Sequence, residues 1–283
     1  MKNVMQLKAI IKNMAKSKNI SAQIIMQNYM LERLLERISL SQYQSNFILK
    51  GGFLIAAMVG LETRATMDMD ATIKGLPVNV ESISSMLERI CAIEVNDDVT
   101  FSLKRIEEIR KNADYSGFRV TLEALHASMA VSLKIDITTG DEITPKEIAY
   151  ELRLLLEPRS IKILAYNLET IIAEKLETII SRGDQNTRPR DYYDIYIIQQ
   201  LQWQNIDPAT LKLALIKTCQ NRGTSDVIKR YVEIVGTIKN SDAMNKFWKD
   251  YQTQFEYAQD IEFKDICQII KEILDETLRN SLL

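Results

Sequence analysis

Asp68 and Asp70 flank one apolar residue in "TRATMDMDATI", and a third acid, Asp136, stands between two isoleucines in "LKIDIT". On a strand, residues two apart point to the same side, so Asp68 and Asp70 would share a face. Two carboxylates that close are costly unless ionisation is suppressed or a cation sits between them. Hard divalent cations such as Mg²⁺ or Mn²⁺ take carboxylate oxygens together with substrate phosphates. A third carboxylate on a neighbouring strand would supply what two-metal phosphoryl transfer requires. Taken alone, Asp68 and Asp70 read more simply as two solvated acids at a strand end, and Asp136 is equally the acidic end of an edge strand. Together they form a candidate metal triad. Upstream, Gly51 and Gly52 separate the apolar "FILK" from an apolar helical run, a setting where glycine permits close backbone approach and helix-start N–H groups attract phosphate. Arg64 and Thr66, just before the acids, could offer a cation and a hydroxyl to phosphate oxygens, or be polar loop residues.

The elements that must position these residues follow from periodicity. Residues 5–40 read as two helices split near "KSKNIS", with Ser21 placed to cap the second. A third helix runs from Gly52 to about Gly60. "TMDMDATI" alternates, with Met67, Met69 and Ala71 opposite the two acids. Residues 79–93 are helical in pattern. "TFSLKRIEEI", "YSGFRVTLEALHA" and "MAVSLKIDITTG" are rich in β-branched and aromatic residues and read as strands. From Leu168 the pattern is helical. The expected architecture is α+β: an N-terminal helical segment (1–40) packing on a mixed sheet core (41–165), then a helical C-terminal domain (166–283).

With 46% apolar and 26% charged residues among 283, the chain is an ordinary folded protein able to bury a core. Cys91, Cys219 and Cys267 are far apart and in no CxxC pair, which argues for reduced thiols and against structural zinc. The first twenty residues lack the apolar core of a secretory signal, and no run approaches the roughly 18 apolar residues of a membrane span. A cytoplasmic chain is expected, with no membrane partner. The net charge of −2 hides a basic start (Lys2, Lys8, Lys12, Lys16, Lys18) and an acidic end. That lysine set reads more simply as a solvated helix face than as a polyanion site.

The ensemble "LKGG", "TMDMDA" and "LKIDIT" resembles the nucleotidyltransferase superfamily with the DNA polymerase β-like fold, with a slightly longer gap between the glycines and the acids. "NLETIIAEKLETIISRGDQNTRPRDYYDIYII" is similar to the AbiEii/AbiGii toxin family of type IV toxin–antitoxin and phage abortive-infection systems, and "SAQIIMQNYMLERLLERISLSQYQSNFILKGG" matches its lead-in. The likeness spans about Ser21 to Gln200. It implies that Lys175 binds the triphosphate of a nucleoside triphosphate and that Asp191 assists catalysis or positions that lysine. Arg64, Thr66, Asp68 and Asp70 fit the family's R-x-S/T-x-D-x-D pattern, and Asp194 matches an acid with a packing role. By residue type alone, Lys175 reads more simply as a snorkelling helix lysine, and Asp191 could be an N-cap, a role compatible with a catalytic one. Arg182, Arg188 and Arg190 could bind RNA phosphates or decorate a loop. Tyr192, Tyr193 and Tyr196 suit helix packing, and His126, the sole histidine, lies in a strand-like run.

The resemblance implies a Mg²⁺- or Mn²⁺-dependent nucleotidyltransferase toxin that moves a nucleoside monophosphate from a triphosphate to an acceptor hydroxyl. The family analogue of the acceptor is the 3′ end of tRNA, whose blockage stops translation. A cognate antitoxin encoded nearby is expected to act without a stable complex. Two alternatives remain open: the same fold modifying a small molecule or a protein side chain, and an inactive member that binds only nucleotide or a partner.

Overall fold

The computed structural model describes residues 4–109 and 117–278. The chain divides into two compact units, Met1–Asp141 with Glu147–Ala165, and Glu142–Lys146 with Tyr166–Leu283.

The first unit opens with α1 (Val4–Lys18) and α2 (Ala22–Leu40). Ser21 caps the start of α2, its hydroxyl accepting from the Ile24 N–H at 3.2 Å, a cap worth about 1 kcal/mol. Then come β1 (Phe47–Lys50), α3 (Gly51–Val59), β2 (Met69–Ile73) and α4 (Val80–Cys91), the last capped by Asn79. The remaining strands are β3 (Val99–Ile109), β4 (Gly117–His126), β5 (Met129–Thr138), β6 (Ile148–Arg153) and β7 (Ser160–Ala165).

All seven strands form one mixed sheet in the order β3-β4-β5-β2-β1-β7-β6. The β3/β4, β4/β5, β1/β2 and β6/β7 pairs are antiparallel, whereas β2/β5 and β1/β7 are parallel. Period-two alternation sorts the faces: Val120, Leu122, Leu133, Ile135, Ile137, Met69 and Ala71 are fully buried on one side. Arg119, Asp136 and Asp70 alternate with them and face the other way. The helix α2 lies against β5 and β7, and Gln27 on it donates to the Ser132 carbonyl at 2.9 Å.

The second unit is helical: α5 (Leu168–Arg182), α6 (Pro189–Gln202), α7 (Pro208–Asn221), α8 (Ser225–Ile228), α9 (Tyr231–Lys239), α10 (Asp242–Gln254) and α11 (Phe263–Leu278). Its core is aromatic. Tyr193 packs on Tyr251 and Tyr257 with centroids 5.9 and 4.8 Å away, and Tyr192 on Phe263 at 5.3 Å.

Two expectations need adjusting. Strand β2 begins at Met69, so Asp68 lies just ahead of it in extended loop, and Thr66 is likewise outside the strand. The strand reading at 115–116 falls outside the described residues. No described helix is long and apolar enough to cross a membrane.

Candidate active site

Two of the three acids are brought to one face by register. Asp70 on β2 stands opposite Asp136 on the parallel neighbour β5, and opposite Lys50 on the antiparallel neighbour β1. Asp136 in turn faces Arg119 on β4, which faces Glu107 on β3. Paired residues of adjacent strands point to the same side. Glu107, Arg119, Asp136, Asp70 and Lys50 therefore form one row of charges across five strands. Asp68, two residues before Asp70, is exposed, and its charge reaches Arg119.

Gly51 fixes the distance between α3 and the acids. Its φ is +70°, and a Cβ built there would fall into the Asp70 side chain, 2.7 Å from Cγ and 2.8 Å from Cβ. Glycine is thus required for conformation and for space. A Cβ at Gly52 would lie 3.0 Å from Arg64 Nη2 and 3.3 Å from Thr66 Oγ1. Both glycines, Arg64 and Thr66 are consequently packed together at the start of α3. The side chain of Lys50, the N-cap residue, makes no capping hydrogen bond, so it does not take up the first N–H groups of the helix. Arg64 is not a surface loop residue: it is 3% exposed and donates to the Ala65 carbonyl at 2.6 Å. Thr66 donates to the Asp68 carbonyl at 3.2 Å, and Asn28 on α2 anchors the Thr66 carbonyl at 2.7 Å. The loop that delivers the acids is therefore held by buried polar groups.

Three residues that sequence reasoning missed complete this region. Lys50 donates to Asp141 Oδ2 at 2.6 Å, and Thr138 donates to the same oxygen at 2.6 Å. Burial pushes the Asp141 carboxyl up, but the Lys50 charge and the hydrogen bonds from Lys50, Thr138 and Thr72 outweigh it, leaving the group below the usual carboxylate range. Arg119 grips Asp136 with a planar fork, Nε to Oδ1 at 2.8 Å and Nη2 to Oδ2 at 2.7 Å. Those hydrogen bonds, then the charges of Asp136, Asp68 and Glu107, raise the guanidinium further above its usual range despite some desolvation.

The donor types suit a hard divalent cation: Asp70 and Asp136 on one face and Asp68 just ahead of the strand, with no imidazole or thiol among them. In the present side-chain placement, no three His, Cys, Asp or Glu side chains among the described residues gather tightly enough to hold an ion. Asp136 has both oxygens on Arg119, and Asp68 stands out in solvent.

In the second unit, Lys175 on α5 donates to Asp191 Oδ1 at 2.9 Å and lies 2.6 Å from Asp194 Oδ2. Desolvation would lower the lysine, but the two carboxylates overcome it and hold it above its usual range. Asp191 is not the cap of α6: Arg188 is, Pro189 opens the helix, and Asp191 sits in its first turn. Asp194 is 1% exposed and contacts the lysine directly, so its part exceeds packing alone. Glu174 beside Lys175 turns away to Arg222 at 3.2 Å. Arg190 stacks over Phe255, 5.4 Å from the ring centroid. His126 is buried in the first unit, its Nδ1 3.1 Å from the Asp98 carbonyl, in a structural setting.

Residues 33–272 match the family model described as nucleotidyl transferase AbiEii toxin, type IV toxin–antitoxin system. The chain belongs to that family. This AbiEii-family protein is a nucleotidyltransferase toxin, and membership of a type IV system implies a cognate antitoxin. Two crystal structures from H. pylori share its fold. One, described as that of a nucleotidyltransferase, is 16% identical with a TM-score of 0.52 over 92% of this chain and 96% of that chain. The other, JHP933, is 15% identical with a TM-score of 0.51 over 92% and 93%. No curated protein matches.

Proposed function

We propose that this AbiEii-family toxin transfers a nucleoside monophosphate from a nucleoside triphosphate to the 3′-terminal hydroxyl of tRNA, using Mg²⁺ or Mn²⁺, and thereby stops translation. The observation that carries the metal-dependent reading is the register of Asp70 against Asp136, with Asp68 two residues ahead of Asp70. Asp68, Asp70 and Asp136 would hold the cation, which when bound polarises the α-phosphate and steadies the leaving pyrophosphate.

The protein's own groups have separable tasks. The first turn of α3 offers N–H groups and a positive dipole end to the phosphate tail. Gly51 and Gly52 remove the side chains that would block that approach. Arg64 and Thr66, packed against Gly52, set the edge of the same cradle. Asn28 holds the loop, so Asp68 and Asp70 are presented at a fixed height. The acceptor hydroxyl loses its proton to a carboxylate of the triad as it attacks. The assignment of Lys175 to the triphosphate, and of Asp191 to orienting Lys175, rests on the family resemblance. So does the choice of tRNA, whose recognition would depend on shape and phosphate contacts more than base edges.

The test is incubation of the purified protein with each α-labelled nucleoside triphosphate, Mg²⁺ and total cellular RNA or whole lysate. Label on the tRNA 3′ end is the expected result. Label confined to protein or small molecules overturns the tRNA acceptor, and equal growth arrest by wild type and Asp68→Ala overturns the enzymatic basis of toxicity.

A further inference from the structure

Arg119 has no part in the reaction set out above, yet it occupies one of the three carboxylates that the reaction needs. Its fork takes both oxygens of Asp136, at 2.8 and 2.7 Å. A divalent cation at Asp136 requires those same lone pairs, so guanidinium and metal compete for them. The pair is reachable by solvent and by an incoming anion: its side chains are 44% and 23% exposed. The fork that fits a carboxylate fits two phosphate oxygens equally well. Register puts Arg119 one strand from Asp136 and two from Asp70, on the face that carries the acids.

We propose that Arg119 is an exchangeable clamp: with no nucleotide bound it holds Asp136 away from the cation, and an arriving triphosphate takes the guanidinium and releases Asp136 to the metal. The proposal rests on the metal-dependent reading above and deepens it. It makes Arg119 a ligand of the substrate phosphates and sets an order, triphosphate before the cation that Asp136 helps to hold. An arginine dedicated to structure would have no reason to stand in the metal's place. No bond is made or broken in the exchange.

The test uses the full chain without activity as its readout. Mn²⁺ affinity is measured by the paramagnetic signal of the free ion, in the absence of nucleotide, for wild type, Arg119→Gln, Arg119→Lys and the double variant of Arg119→Gln with Asp136→Asn. Tripolyphosphate affinity is measured separately by calorimetry without metal. Matched circular dichroism spectra establish that each variant is folded. The expected result is Mn²⁺ binding at least about threefold to fivefold tighter in Arg119→Gln, the scale of releasing one partly exposed ion pair. Arg119→Lys should move most of the way with it, because lysine keeps the charge but cannot bridge both oxygens. Tripolyphosphate should bind Arg119→Gln at least about threefold more weakly, for loss of one charge-assisted contact. Wild-type Mn²⁺ affinity in Arg119→Lys would reduce the effect to through-space charge and overturn the clamp. Weaker Mn²⁺ binding in either variant, or unchanged tripolyphosphate binding in Arg119→Gln, would overturn it as well. Adding Asp136→Asn to Arg119→Gln separates the two levels: Mn²⁺ affinity no weaker than in Arg119→Gln alone refutes the metal site itself, whereas a loss there, with Arg119→Gln binding Mn²⁺ no tighter than wild type, refutes only the clamp.

Discussion

Replacing Gly51 by alanine tests how tightly α3 and the acidic strand are fitted. Two costs are separable. A left-handed φ of +70° costs a residue with a side chain roughly 1–2 kcal/mol. The second cost is overlap: the new Cβ would lie 2.8 Å from Asp70 Cβ, against 3.4 Å or more for an ordinary contact. Because Asp70 Cβ is fixed to the backbone, no rotamer change relieves it, and β2 must shift away from α3. Overpacking of this kind costs about 1–3 kcal/mol. The single variant should therefore lose about 2–5 kcal/mol, and Asp70→Gly, which deletes that Cβ, should make Gly51→Ala cheaper by about 1–3 kcal/mol. The assay is urea unfolding of wild type, both single variants and the double variant, followed by far-UV circular dichroism. Both tryptophans, Trp203 and Trp248, lie in the second unit and would not report the first. If Gly51→Ala costs the same in both backgrounds, the close fit of Gly51 to Asp70 is refuted and only the backbone requirement survives.

Glu32 on α2 is 3% exposed, and both its oxygens accept the Leu155 N–H, at 3.0 and 3.1 Å. Burial pushes it up to about 8 from an ordinary 4.5, against the opposing effects of the Leu155 N–H and Arg33. A carboxyl raised by folding favours the native state at low pH and loses that contribution as pH rises from about 4.5 to 8. Glu32→Gln should thus match wild type near pH 4.5 and exceed it above pH 8 by several kcal/mol, at most about 5 at 1.4 kcal/mol per unit; parallel pH profiles would refute this. Asp141 has the opposite sign: held below its ordinary 3.8, it stabilises the native state above that pH and fails only as pH falls further. Asp141→Asn should therefore destabilise at neutral pH and flatten the acid limb of the stability profile, and an unchanged acid limb would contradict the pairing with Lys50. Lys175→Met leaves Asp191 and Asp194 facing each other without a cation, at a cost of about 3–5 kcal/mol. Adding Asp191→Asn and Asp194→Asn should restore most of it, and a Lys175→Met protein that melts like wild type would refute the triad.

Elements with their own punctuation were legible in the sequence. Ser21 announces a helix start by side-chain capping, and strands β3 to β5 announce themselves by long runs rich in β-branched and aromatic residues. Strands β1, β6 and β7, four to six residues long, were not singled out. The order of the sheet was not legible either, since the parallel insertion of β2 beside β5 depends on crossovers rather than local pattern. The shared face of Asp70 and Asp136 could be anticipated because residue type and strand pattern place each acid opposite its apolar neighbours. The Arg119 clamp was missed although a signal existed. The hairpin pairs His126 with Met129 across a two-residue turn, and counting back equally on both strands sets Arg119 against Asp136. No such count exists for Lys50 and Asp141, 91 residues apart. Of the two readings of Asp191, the cap falls because Pro189 and Arg188 start α6 earlier than the acid suggests.

The most direct test of the whole account is transfer of label from an α-labelled nucleoside triphosphate to RNA by wild type and by Asp136→Asn, with both proteins shown to be folded. The account predicts transfer by wild type and a loss of at least about a hundredfold in the variant, the scale of removing one transition-state electrostatic contact. Transfer undiminished in Asp136→Asn would mean that the face shared by Asp70 and Asp136 is not where the chemistry happens.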